Sequence, residues 1–283
     1  MTERLADVRA HISTIEQLGS VVRAMRGIAA SRAQQARALL PAVRAYAAIA
    51  SGGIAQALRL DPLDGESQSV IRSAQPLLIL FGPEQGFAGA FADHVLDAAT
   101  QELASADRII VGSRAGTVTR DRGVDMLHCF PMPMRPAGIA EVAARVAEAI
   151  YDRIRSAGAG RVTMLYPKWT SERGAVIVHR TLLPLDPFSF KAASPATLPP
   201  VVQLPPETLL ERLGEEYVLA LLCEAAAECF AAENEARVSA MASATAHITE
   251  TLDGLRLRER LTRQEEITAE VVELAAGARA RDA

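Results

Sequence analysis

Residues Arg263 to Thr268, RQEEIT, set a cation, an amide, two carboxylates and a hydroxyl side by side. Such a set can act as an acid/base site, lie as a solvated helix surface, or serve as a contact for another protein. Acid/base work needs titratable groups in unlike surroundings within a pocket. No second cluster of suitable residues converges on RQEEIT, and the helical pattern around it offers no pocket. The most enzyme-like stretch is instead LFGPEQGFAGAFAD, residues 80–93, where an apolar run meets a Gly-bearing turn. Backbone N–H groups at such a turn can cradle a phosphate. Gly82, Gly86 and Gly89 do not give the G-x-G-x-x-G spacing, no Lys-Ser/Thr pair follows, and Pro83 removes one donor. A structural strand-to-helix turn is the expected role.

The remaining chemistry-bearing residues are scattered. His11, His94, His128, His179 and His247 form no HxxxH or HxH pair, and Cys129, Cys223 and Cys229 lack CxxC spacing. That pattern points to no metal set and to reduced thiols. His128 and Cys129 adjoin in LHCFP, without a nucleophile–base arrangement, and Pro131, Met132 and Pro133 suggest an extended loop. No active site, cofactor or metal is expected from this chain alone. Arginines cluster at Arg23, Arg26, Arg32, Arg37 and Arg44, and again at Arg256, Arg258, Arg260 and Arg263. Most read as a solvated helix surface; the functional alternative is a cationic shaft facing an acidic partner.

The elements that must position these residues fall into helix, mixed centre, helix. The chain has 283 residues, 49% hydrophobic but only 4% aromatic, with a net charge of −4. Its apolar fraction is therefore mostly aliphatic, favouring long helices, and its charge argues against a non-specific nucleic-acid binder. Neither an N-terminal apolar signal region nor eighteen uninterrupted apolar residues occurs, so no signal peptide or membrane-spanning helix is expected. In residues 1–58, Leu5, Val8, Ile12, Ile15, Leu18, Val22, Met25 and Ala29 keep helical spacing, with a slip from Ile15 to Leu18. Pro41 should kink or interrupt that helix. Residues 207–283 carry a second seam, Val238, Met241, Thr245, Ile248, Leu252 and Leu255, in alternating steps of three and four. That spacing seats a partner helix; the alternative is several shorter helices broken near Gly214 and Gly254.

Between them, after a linker over 59–75, lie the apolar runs PLLILFG, DRIIVGS and RVTMLYP, separated by amphipathic stretches at 90–104 and 139–156. GAVIVHRTLLPL reads as a further, edge strand. Alternating strands and helices indicate an α/β domain with a largely parallel sheet over 76–190. A Pro-rich linker over 191–206 follows. The fold class is a coiled coil built from both chain ends with an inserted α/β domain.

Four segments together resemble a known family, the γ subunit of rotary F-type ATP synthases. IST with VVRAMRGIAASR is similar to its I-x-S-(…)-I-T-x-A-M-x-x-V-A-A-S-K pattern, and QGFAGAF to its R-G-L-C-G-x-x-N run. AENEARVSAMASAT resembles S-E-x-x-A-R-M-x-A-M-x-x-A-T, and RQEEITAEVVELAAGA resembles R-Q-x-x-I-T-x-E-L-x-E-I-x-x-G-A. The resemblance covers nearly the whole chain. It implies an antiparallel coiled coil with a Rossmann-like domain, turning inside a ring of three α and three β subunits. It also implies partners in the ε subunit and the membrane c-ring, and a place on the cytoplasmic face of the plasma membrane. Catalysis would belong to the ring, and no cofactor to this chain.

Carried over by position, Arg237, Gln264 and Thr268 match residues that hydrogen-bond a β-subunit loop, and Met25 and Arg26 match the turn facing a lever segment of β. On that reading RQEEIT is a grip on a neighbouring subunit. Ala88, Ala92 and Gln85 replace the family's Cys, Asn and Arg, and His247 and Arg260 stand where Asn is usual. Arg279, Arg281 and Asp282 charge a tip that is usually apolar. These departures point to a divergent member, such as one from an alternative, sodium-pumping ATPase operon. Two other readings stay open: a stand-alone helical scaffold or adaptor, and a nucleotide-binding α/β enzyme.

Overall fold

The computed structural model describes residues 5–60, 75–158, 160–190 and 201–281, with backbone alone from 275 onward. Most of the two expected linkers, Asp282, and the side chains of Arg279 and Arg281 lie outside the described residues.

Two helices dominate. α1 spans Leu5–Leu60, 56 residues, and α6 spans Pro206–Arg281, 76 residues. At 1.5 Å per residue α6 is about 114 Å long. Pro206 opens it, where a proline costs no hydrogen bond. Neither Gly214 nor Gly254 interrupts it, a penalty of about 1 kcal/mol each being small against so much packing. Pro41 lies inside α1, so of the expected kink or interruption the interruption does not occur. Its ring is exposed, while Ala36 and Leu40 just before it are buried and hold the helix in place. α1 also carries an 18-residue window of mean hydropathy 1.4, long and apolar enough by composition to cross a membrane. Here Ala36, Leu40, Ala47, Ala50, Ile54 and Ala57 of that helix are buried within the chain.

The chain forms two compact units, Met1–Ile28 with Val238–Ala283, and Ala29–Arg237. In the first, α1 and α6 run antiparallel: the Leu5 N–H donates to Glu266 at 3.3 Å, Arg9 pairs with Glu259 at 2.9 Å, and Glu16 with Arg256 at 2.9 Å. The α6 seam is as spaced in the sequence, with Met241, Ile248 and Leu255 buried and Val238, Thr245 and Leu252 half-buried. The α1 seam differs from expectation at one place. Leu18 points out, 49% exposed, and Gly19 takes the seam position. A Cβ on Gly19 would lie 3.3 Å from Ile248 Cγ2, so Ile248 seats over the glycine. The step from Ile15 to Gly19 is four, and the apparent slip disappears.

The second unit holds a five-stranded sheet in the order β3-β2-β1-β4-β5. Its strands are β1 (Leu77–Phe81), β2 (Asp107–Val111), β3 (His128–Phe130), β4 (Val162–Thr170) and β5 (Gly174–Leu183). β1 pairs parallel with β2 and β4, β2 parallel with β3, and β5 antiparallel with β4 at the edge. The three apolar runs are β1, β2 and β4. β3, inside LHCFP, was not expected as a strand: it has three residues, closed by Pro131. Every residue of β1 is buried, as in parallel sheets covered on both faces. Leu77, Ile79 and Phe81 join a core with α5 (Ile139–Ala157), α1 and α6, and Leu78 and Leu80 join one with α2 (Phe91–Ala98), α3 (Thr100–Ser105) and α4 (Ser113–Asp121). α6 brings Val218, Leu221, Leu222 and Phe230 to the first core, with Ala225, Ala226, Ala227 and Ala231 among them.

Candidate functional site

The Gly-bearing turn after β1 is where the sequence most suggested an anion cradle. Gly82 ends the strand, and Gly112 at the head of α4 packs on it with φ 124. A Cβ on Gly112 would fall 2.3 Å from the Gly82 oxygen, so only glycine permits this approach. The turn's N–H groups do converge on a carboxylate, and it is the chain's own. Glu233 of α6 accepts from the N–H of Glu84 at 2.9 Å and of Gln85 at 3.1 Å. Arg237, one helical turn on, pairs with Glu233 at 2.5 Å and donates to the Gly86 carbonyl from Nε at 3.2 Å and Nη2 at 3.0 Å. Its Nη1 donates to Asn234 at 3.1 Å. The Glu233 and Arg237 side chains are 4% and 7% exposed, and each is hydrogen-bonded on several sides, which is what a buried ion pair requires.

Glu84 extends the network. Its carboxylate accepts from the Ser113 N–H and hydroxyl at the start of α4 and from the Met132 N–H after β3, each at 2.8 Å. A negative charge at a helix N-terminus is also favoured by the peptide dipoles. A second network ties α1, α6 and the sheet. Arg44 bridges Glu224 at 2.7 Å and Glu228 at 2.5 Å, with Arg180 at 3.2 Å from Glu224 and Lys168 at 3.9 Å from Glu228. Burial pushes the Glu228 carboxyl above its ordinary value, against the pull of Lys168 and Arg44.

The five sequence-predicted site residues do not form one cluster. Met25 is half-buried against the group formed by Val22, Met241 and Ile248, and Arg26 beside it is exposed. Gln264 and Thr268 are exposed on α6 beside the start of α1, about 35 Å along the helix from Met241. The Thr268 hydroxyl donates to the Gln264 carbonyl at 2.7 Å, leaving the Gln264 amide facing solvent. Ile267, Val271 and Leu274 form a stripe on the same end, 54%, 58% and 75% exposed. Arg237 differs from the other four. The expectation of a partner contact there meets a guanidinium already engaged by Glu233, Asn234 and Gly86. Glu233 and Glu84 were not singled out from the sequence. The available signal was a Glu and an Arg four apart within a run of alanines, where charge is out of place unless it has partners.

A family model described as ATP synthase matches residues 4–280. The chain belongs to this family. The ATP synthase gamma chain of Ruminococcus albus is 25% identical over 95% of this chain and 96% of its own length. That of Streptomyces avermitilis is 27% identical over 99% of this chain and 97% of its own. A rotor chain of the Euglena gracilis mitochondrial ATP synthase superposes with a TM-score of 0.64 at 16% identity, over 93% of this chain and 98% of that one. The family match, with gamma chains of ATP synthases alike along their whole length, makes this a gamma-type chain of that family. Two of the family-like motifs meet in the fold: the AENEAR run of α6 grips the turn of the QGFAGAF run, through Glu233 and Arg237.

Proposed function

We propose that this chain is the central-stalk rotor of an ATP synthase. The carrying observation is α6: one unbroken helix of 76 residues whose seam lies antiparallel on α1. A stiff pair of this kind transmits rotation between a driven end and a responding end. In this reading the coiled coil turns inside an α3β3 ring. The α/β unit meets the ε subunit and the c-ring at the cytoplasmic face of the plasma membrane.

The residues that grip the ring are Met25, Arg26, Gln264 and Thr268, with the exposed stripe of Ile267, Val271 and Leu274 as the apolar bearing at the end of α6. Arg237 acts from inside the chain. No nucleotide is placed at the turn after β1, because the N–H groups of Glu84 and Gln85 already hold Glu233.

Affinity purification of the tagged chain from its host tests this reading. The expected result is co-recovery of α-type and β-type ATPase subunits in equal amount, with ATP hydrolysis. Recovery of the chain alone would favour a stand-alone scaffold. Micromolar nucleotide binding by the isolated chain would favour an enzyme.

A further inference from the structure

The joint between α6 and the turn after β1 adds directional bonds to apolar packing. α6 buries Ala225, Ala226, Ala227, Ala231 and Ala232 here, alongside the larger Leu221, Leu222 and Phe230. Apolar burial is non-directional, so this packing sets the rotation of the helix less sharply than aimed hydrogen bonds do. Beside it stand two long, buried, oppositely charged side chains one turn apart. Glu233 holds the N–H groups of Glu84 and Gln85, and Arg237 holds the Gly86 carbonyl with two of its nitrogens. Three consecutive backbone units are thus gripped by both signs of charge. Asn234 braces the guanidinium and is itself tied to the Phe230 carbonyl at 2.8 Å. Glu84 passes the connection to α4 through Ser113 and to the segment after β3 through Met132. The next residue, Phe87, is held at φ 61, a backbone region that non-glycine residues adopt only when their surroundings enforce it.

We propose that Glu233 and Arg237 are positioning residues of the rotor, the joint that keeps the α/β unit turning with α6. This rests on the rotor reading above. Roll or slide of α6 relative to the turn would stretch all of these bonds together.

The test uses the assembled complex in sealed vesicles, comparing wild type, Glu233→Gln, Arg237→Lys and the apolar double variant Glu233→Leu/Arg237→Met. Three readouts are taken: hydrogen exchange at the Glu84 and Gln85 amides, thermal stability, and ions transported per ATP hydrolysed. In Glu233→Gln, exchange at both amides speeds up about tenfold or more, the loss expected for a charge-assisted hydrogen bond. Transport per ATP falls in Glu233→Gln and in Arg237→Lys. The double variant separates a joint from plain stabilisation, because well-packed apolar replacements commonly recover the stability of a buried ion pair. The expected result is recovered stability without recovered coupling. Wild-type coupling in the stable double variant would overturn the proposal, as would unchanged coupling in Glu233→Gln with its amides unprotected. A wild-type complex that lacks the ring would overturn the rotor reading instead.

Discussion

Replacing Gln264 and Thr268 with alanine separates a partner contact from a structural role, because the isolated chain has almost nothing to lose there. Both side chains are exposed, and the Thr268 hydroxyl bonds only to the Gln264 carbonyl of its own helix. Back-bonds of that kind are neutral or slightly unfavourable to a helix. Alanine has the higher helix propensity, by at most about 0.7 kcal/mol per site. The double variant should therefore keep the helicity and thermal midpoint of the isolated chain, or raise the midpoint slightly. In the complex, two interface hydrogen bonds at about 0.5–1.5 kcal/mol each amount to roughly 1–3 kcal/mol, or about 5- to 150-fold in affinity. The assay pairs circular dichroism of the free chain with titration into α and β subunits and measurement of coupled ATP turnover. Unchanged helicity with weakened assembly or coupling is the expected pair of results. Unchanged assembly and coupling would remove Gln264 and Thr268 as contacts, and lost helicity would mean that the site had been misjudged as solvent-facing.

Two further outcomes follow from the second unit. A Cβ on Gly82 would lie 2.5 Å from the Ala115 Cβ, and neither atom has a rotamer to escape into. Gly82→Ala should lower stability by about 1–3 kcal/mol, and adding Ala115→Gly should recover part of it despite about 1 kcal/mol of lost helix propensity; denaturant melts of the four proteins test the cycle. Burial pushes the Tyr151 hydroxyl from its ordinary 10.0 up to about 12. The folded chain then holds that proton longer than the unfolded one, so stability is full below pH 10 and declines as pH rises through 12. Tyr151→Phe should flatten that decline in alkaline melts.

The parts of this fold that were legible were those with an uninterrupted period. The α6 seam could be read residue by residue because each of its positions carries an apolar or small side chain of recognisable type. The α1 seam was misread at Leu18, since a glycine carries no hydrophobic signal although Ile248 needs its missing side chain. β3 escaped because three residues next to a proline show no alternation, and α4, SRAGTVTRD, because its apolar content is low; its place is set by Gly82, Gly112 and Glu84. At the candidate site the turn itself was visible, but what fills it was not. Glu233 lies 148 positions from Gln85, and nothing local to either residue tells of the other. Arg237 drew attention through its resemblance to a family position, and only the burial of its guanidinium shows that it faces inward.

A carboxylate anchored on a helix and aimed at two N–H groups competes with dissolved phosphates from an overwhelming effective concentration. Any free nucleotide would have to evict Glu233 and leave Arg237 buried without its counter-ion. The turn therefore has a built-in occupant, set by the chain and independent of the solution around it. For the proposed stalk, the two N–H groups of this turn stay committed to the chain itself, whatever phosphates surround it.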